Sequence, residues 1–460
     1  MPRSTLPLRL LAGVLALLAL LLFPSIADAH TALKASDPAK DSRLSTAPTR
    51  ITLWFTARPQ LPFSRIRLIG PNGEVTLDKL VADTGMGFHA DIRGAITPGT
   101  YRVEWQTASA DGHPIRGDFA FSIAGTGASS VVATPSVADS TATASHHTPQ
   151  PEAHAEHSEY HSVRWMEFVA LLTVLGALGF RHGVLPPLAA RGVPTAEAAD
   201  RARQLGSSIL ILYVVSALVR LYTESVAVHG AADAMNPAQL RPMITSTTWG
   251  IGWLFGVIGS ILLAIGWTVS RKSVTVGTPL ALTGALGMAL SPALSGHAAA
   301  SQHFVANVVL DVMHVLAAGV WLGGLLMVLI AGIPAMRRLP NGNQDAAVSA
   351  LVNSFHPLAL FCAPIVVIMG AGTALLRLGS VGALWSTTYG QTLLWKVAWV
   401  ALVAGMGFYN AVRTRHALGA AAGTRRIRRT GTLELLFAAV VIAVTTVLVT
   451  TPVPSEMVSP

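Results

Sequence analysis

The run HFVANVVLDVMHVLAAGVWLGGLLMVLIAGI, residues 303–333, decides the architecture. It holds a single carboxylate, Asp311, and neither lysine nor arginine. At about 1.5 Å per residue it exceeds the ~30 Å hydrocarbon core of a bilayer, so it reads as a membrane-spanning helix. His303, Asn307, Asp311 and His314 are spaced +4, +4 and +3, which places them on one helix face, and Trp321 continues that face. Ionisable side chains in lipid cost several kcal/mol unless paired or wetted, so the stripe is expected to face the interior of a bundle, in its outer half. His297, in Ser295-Gly296-His297-Ala298 just upstream, can meet it across a short connection. Met313, beside His314, adds a soft thioether sulfur suited to a soft metal ion. The plainer alternative is a polar cluster that only locks two helices together.

Working outward, seven more apolar stretches are long enough to span: approximately 163–185, 205–226, 247–269, 274–294, 355–378, 391–412 and 431–451. The chain has 460 residues, 52% hydrophobic and 12% charged, which excludes an ordinary soluble protein and makes a lipid bilayer its first partner. The formal charge of +9 is concentrated in alternate loops: Arg191, Arg201 and Arg203; Arg271 and Lys272; Arg337 and Arg338; and the arginines from Arg413 to Arg429. Outer loops carry Arg241 and Arg377. That asymmetry sets orientation in a membrane, with an even number of spans and the C-terminal tail, residues 454–460, outside; it is no nucleic-acid patch. The lone cysteine, Cys362, excludes a disulfide within the chain and a Cys-x-x-Cys metal pair, and no phosphate-binding loop is present. Any metal therefore meets His, Met, Asp or Glu.

Residues 1–29 join Arg3 and Arg9 to an apolar run and end in Ala27-Asp28-Ala29, a secretory signal whose cleavage exposes His30 as the new N-terminus. From 30 to 125 the hydrophobic period is two: Ile51, Leu53 and Phe55; Tyr101, Val103 and Trp105; Phe119, Phe121 and Ile123. Turn clusters at Pro71-Asn72-Gly73 and Thr97-Pro98-Gly99 separate short strands, so an antiparallel β-sandwich or barrel is expected. Residues 126–160 read as a flexible tether containing His146, His147, His154 and His157, either a spacer or a weak metal relay, and 161–453 as the membrane domain.

Asp111 and His113 stand two apart in Ser109-Ala110-Asp111-Gly112-His113-Pro114, on one face of an extended backbone. With the amine and ring of an N-terminal His30 they offer Cu(II) a tetragonal set of nitrogen and oxygen donors. His30, Ser36-Asp37-Pro38, Ala47-Pro48-Thr49 and the run from Val103 through Asp111-Gly112-His113-Pro114 to Phe121 resemble the CopC family. The resemblance implies a Greek-key, cupredoxin-like or immunoglobulin-like β-domain outside the cytoplasm, binding Cu(II) through His30, Asp111 and His113. Some relatives carry a methionine-rich Cu(I) stretch, whereas this domain has only Met86 with His89 nearby, so no separate Cu(I) site is expected. Gly296-His297-Ala298, Asp311-x-x-His314, Trp321-Leu322-Gly323-Gly324-Leu325, Tyr389-Gly390, Lys396, Asn410 and Glu434 resemble the CopD family of copper-resistance membrane proteins. The order of the two parts is that of fused CopC–CopD proteins.

The expectation is a bacterial inner-membrane protein with a periplasmic N-terminal domain. It takes Cu(II) at His30, Asp111 and His113 and moves copper inward past His297, His303, Asp311 and His314, as Cu(I) where thioether sulfur takes part. A periplasmic copper donor and a cytoplasmic acceptor are the implied partners, and no catalytic residue is assigned. Three alternatives make different observations. Sequestration or sensing shows binding without flux. A b-type haem held by histidines shows a Soret band. A copper oxygenase at the N-terminal histidine needs an open coordination position, which a carboxylate ligand tends to block.

Overall fold

The computed structural model describes residues 33–55, 59–83, 86–108, 114–124, 151–296, 303–340, 342–410, 412, 421–451 and 453. The chain divides into two compact units, one built on strands and one on helices.

Among the described residues of the first unit nine short strands follow in order: β1 Leu33–Asp37, β2 Arg43–Leu44, β3 Arg50–Phe55, β4 Arg65–Gly70, β5 Gly73–Val75, β6 Val81–Ala82, β7 Gly87–Asp91, β8 Gly99–Ala108 and β9 Pro114–Ile123. They form two sheets, β1-β3-β7-β6 and β2-β9-β8-β4-β5. The period-two residues read from the sequence are the core. Ile51, Leu53, Phe55, Phe88, Tyr101, Val103, Phe119 and Phe121 are all at most 4% exposed. Aromatic contacts join the strands: Phe55 stacks on Phe88 at 5.2 Å and meets Trp105 edge-on at 5.3 Å, and the cross-strand pair Tyr101 and Phe121 stacks at 5.5 Å. The Pro71-Asn72-Gly73 cluster makes the β4–β5 turn, with Gly73 at φ 108. Tyr101 Oη donates to the carbonyl of Thr97 at 2.6 Å and ties the start of β8 to its preceding turn. One pairing departs from the antiparallel expectation: β2 runs parallel to β9, Arg43 opposite Ser122 and Leu44 opposite Ile123. On the exposed face Arg67 of β4 donates to Glu74 at 2.9 and 3.0 Å. That guanidinium holds the Glu74 carboxyl below its ordinary range, an exposed pair of little consequence for stability.

Among the described residues, the second unit contains eight helices long and apolar enough to cross a membrane: α1 His161–Ala189, α2 Ala196–His229, α3 Thr248–Val269, α4 Val274–Leu294, α5 Phe304–Met336, α6 Gln344–Leu378, α7 Thr388–Tyr409 and α8 Thr424–Thr450. It is a multi-pass membrane domain. The helix that becomes α1 begins at Pro151, inside the segment expected to be a tether. Proline at a first helical position followed by Glu152 and Ala153 is a favourable helix start, which outweighed the polar composition. α5 is the most enclosed of the eight, whereas α6 and α7 turn most of their surface outward. Leu360, Phe361, Ile368, Trp395 and Phe408 are more than half exposed, as expected of side chains that face lipid.

Close helix contacts rest on small residues. Gly176 of α1 and Gly323 of α5 touch: a Cβ on Gly176 would lie 2.0 Å from the Gly323 carbonyl carbon, and one on Gly323 would lie 2.0 Å from the carbonyl oxygen of Leu172. Near that crossing α5 widens into π-helical turns at Gly319–Gly323 and Val328–Gly332. Where the α1–α2 and α5–α6 connections meet, Glu197 bonds Arg201 at 3.0 Å and Arg338 at 2.9 Å, so two loops read as basic and inner-facing share one end of the bundle.

Candidate functional site

α5 brings Asp311 and His314 against one face of α6. Val366, Gly370, Thr373 and Arg377 of α6 are spaced +4, +3 and +4, and all four meet the α5 stripe. Arg377 Nη2 donates to Asp311 Oδ2 at 2.6 Å and Thr373 Oγ1 donates to Oδ1 at 3.2 Å, so both carboxylate oxygens are engaged. His314 Nδ1 lies 2.9 Å from the carbonyl oxygen of Val366. A carbonyl can only accept, so Nδ1 carries the proton and the Nε2 lone pair is left for a ligand, the arrangement typical of metal-binding histidines. Gly370 makes room for the ring: a Cβ there would stand 3.1 Å from His314 Cε1. From α7, Tyr389 accepts a hydrogen bond from Arg377, and Lys396 is near enough to act electrostatically on His314, Asp311 and Arg377.

Deeper along α5, about 15 Å from Asp311 at 1.5 Å per residue, Trp321 of the first π-helical turn donates to Glu434 of α8. Asn410 Nδ2 donates to the same carboxyl at 3.2 Å, and Glu434 is 3% exposed. A third polar centre lies among the first four helices. Arg220 of α2 donates to both oxygens of Glu167 on α1, each at 3.2 Å, and to Ser295 Oγ at 2.9 Å, with its guanidinium 5.3 Å over the Trp249 ring of α3.

The residues read from sequence separate into three groups. Asp311 and His314 both face α6, where they bond different partners, Arg377 and Thr373 for Asp311 and the Val366 carbonyl for His314. His303 stands just before the first residue of α5 and is exposed, about 12 Å up the axis from Asp311; Asn307 between them is 1% exposed. Met313 does not join: it is 41% exposed, because one residue along an α-helix is a turn of about 100°, which carries its thioether off the stripe. His30, Asp111, His113 and His297 lie outside the described residues, although β8 ends at Ala108 and β9 begins at Pro114 on either side of the Asp111–His113 segment. Among the described residues no three His, Cys, Asp or Glu side chains converge on one point. The structure also corrects the reading of Arg377 as an outer-loop charge. It belongs to the last turn of α6, and its polar partner is 66 positions away in the chain. Thr373 and Arg377 at helical spacing from Gly370 were the available signal.

A β-sandwich of short strands followed by an eight-helix membrane domain with carboxylate–arginine pairs between its helices defines a two-part integral membrane protein. The CopC domain family matches residues 33–124, the N-terminal domain family of copper resistance protein D-like proteins matches 157–305, and copper resistance protein D matches 349–448. The chain belongs to the CopC–CopD fusion family. The copper transport protein CutJ of Bacillus subtilis (strain 168) is 25% identical over 97% of this chain and 77% of its own length. Copper resistance protein C of Escherichia coli is 31% identical over 21% of this chain and 83% of its own. The crystal structure of PcoC, a methionine-rich copper resistance protein from Escherichia coli, has 32% sequence identity and a TM-score of 0.20, covering 21% of this chain and all of that one.

Proposed function

We propose that this protein captures copper outside the cytoplasm and carries it inward across the bacterial inner membrane. The observation that carries the reading is the match, over 97% of the chain, to a copper transport protein, together with the order of the matches on this chain, where a CopC domain precedes the copper resistance protein D domain. In the β-domain, cleavage after Ala29 makes His30 first, and its amine and ring join Asp111 and His113 around Cu(II). The membrane route starts at His297 and His303 and reaches Asp311 and His314, where the ring's Nε2 and a carboxylate provide the first paired donors. Met313 is left out of it. Crossing as Cu(I) requires a reductant supplied from outside the chain, and a periplasmic donor and cytoplasmic acceptor complete the route.

A second reading, sequestration without flux, has one observation in its favour: Arg377 and Thr373 already occupy both oxygens of Asp311. Isotopic copper uptake separates the two. Cells with the full chain accumulate copper faster than cells without it, and an Asp311→Ala/His314→Ala variant at matched protein level does not. Indistinguishable uptake by wild type and empty cells would rule out import and leave the β-domain as a buffer.

A further inference from the structure

Two stretches of the membrane domain repeat one another. Ser216-Ala217-Leu218-Val219-Arg220-Leu221 on α2 reads as Thr373-Ala374-Leu375-Leu376-Arg377-Leu378 on α6. Ser246-Thr247-Thr248-Trp249-Gly250 at the start of α3 reads as Ser386-Thr387-Thr388-Tyr389-Gly390 at the start of α7. The geometry repeats with the residues. Thr247 accepts from the Gly250 amide at 2.9 Å and donates to the Met243 carbonyl at 2.7 Å; Thr387 accepts from the Gly390 amide at 3.1 Å and donates to the Ala383 carbonyl at 2.6 Å. α1 and α5 each pass through a π-helical segment, Phe180–Val184 and Val328–Gly332, into a proline-started turn, Leu185–Ala189 and Ile333–Met336. α2 and α6 run 34 and 35 residues and open on Glu197 and Asp345; α3 and α7 are 22 residues each. Four helices return the chain to the side where it started, so both copies run in the same direction, as repeats related by an axis along the membrane normal do. Their first helices touch at Gly176 and Gly323.

Each copy pairs a carboxylate on its first helix with an arginine near the far end of its second and sets an aromatic ring at the start of its third: Glu167, Arg220 and Trp249; Asp311, Arg377 and Tyr389. The copies differ in ways that decide what each can do. The Arg220 and Glu167 side chains are 1% and 8% exposed, and Arg220 grips both carboxylate oxygens as well as Ser295. Three residues beyond Glu167 stands Ala170, where the second copy has His314. The Arg377 and Asp311 side chains are 13% and 23% exposed. Arg377 is one residue from the end of α6, ahead of Gly379 at φ 67, where a long apolar stem can carry a guanidinium outward to water. An entering cation meets one carboxylate faced by Arg377 and, within electrostatic range, Lys396, so it can take Asp311 only as Arg377 leaves.

We infer that the membrane domain is two copies of one four-helix unit, in which Glu167–Arg220 is the fixed copy and Asp311–Arg377 the exchanging one. Arg377 is then an internal cation, displaced when copper binds Asp311 and the Nε2 of His314. This rests on the copper reading above.

The test uses purified full-length protein in lipid nanodiscs and Cu(I) in competition with a chromogenic Cu(I) chelator. Asp311→Asn is added to each background to subtract copper held by the β-domain. Breaking a charge-assisted hydrogen bond no longer opposes the metal in Arg377→Gln, so its Asp311-dependent affinity rises about tenfold. Arg377→Lys, which keeps charge and folding but not the planar fork, rises less. Arg220→Gln gains no Asp311-independent site and unfolds at lower temperature. Unchanged or weaker binding in whichever Arg377 variant folds overturns the inference, and so does an Arg220→Gln variant that gains copper as strongly as Arg377→Gln. Uptake in cells reports separately on import: a wild type that imports while Arg377 variants bind unchanged defeats only the exchange, and a wild type that does not import defeats transport while the binding differences stay readable.

Discussion

At the scale of single residues, the two intramembrane ion pairs have unequal consequences when broken. Glu167→Gln leaves the Arg220 guanidinium inside the bundle with its carboxylate gone, and breaking a buried pair from one side costs about 3–5 kcal/mol. The expected result is a large fall in thermal unfolding temperature in detergent, with little well-folded protein recovered. Asp311→Asn costs less, because Arg377 is closer to a helix end and to water. Equal losses in the two variants would show that the second pair is as rigidly enclosed as the first. The sequence disclosed Asp311 and His314 through spacing on one helix, since periodicity reports which residues share a face. It did not disclose their partner. Arg377 stands at the end of an apolar run, where an arginine reads equally well as a loop charge, and only packing of α6 on α5 assigns it to Asp311.

At the scale of elements, each local signal worked where it was tied to a backbone requirement. Strand periodicity marked the β3, β8 and β9 core because side chains alternate across a pleated sheet, and length plus apolarity marked eight spans because lipid leaves no other backbone solution. The parallel β2–β9 pairing and the early start of α1 had no such signature, for a two-residue strand carries no period and a polar helix start resembles a linker. Helix starts offer a direct check. Thr247→Ala and Thr387→Ala each remove a hydroxyl that caps Gly250 or Gly390 and also bonds the carbonyl of Met243 or Ala383, a loss of about 1 kcal/mol per site. Both variants are expected to unfold a few degrees below wild type, and serine at either position to restore most of the difference. If the alanine variants unfold with wild type, the caps are not what fixes the entry of α3 and α7.

At the scale of the whole molecule, joining a β-domain to a membrane domain in one chain matters only if copper passes between them. Two sites in series and two sites acting independently make different arithmetic. In series, loss of the outer donors through His113→Ala lowers the supply to the membrane route, so uptake falls at scarce external copper and recovers as copper is raised. Loss of Asp311 and His314 blocks the route itself, so uptake falls at every concentration. The combined variant then takes up no less copper than the Asp311→Ala/His314→Ala variant alone, because a blocked route cannot be slowed further; independent sites would instead give losses that multiply. Uptake rates of the four chains over a wide range of external copper decide between them. A combined variant clearly slower than either parent would mean that the β-domain feeds some other acceptor, and that the fusion keeps two copper functions near each other without linking them.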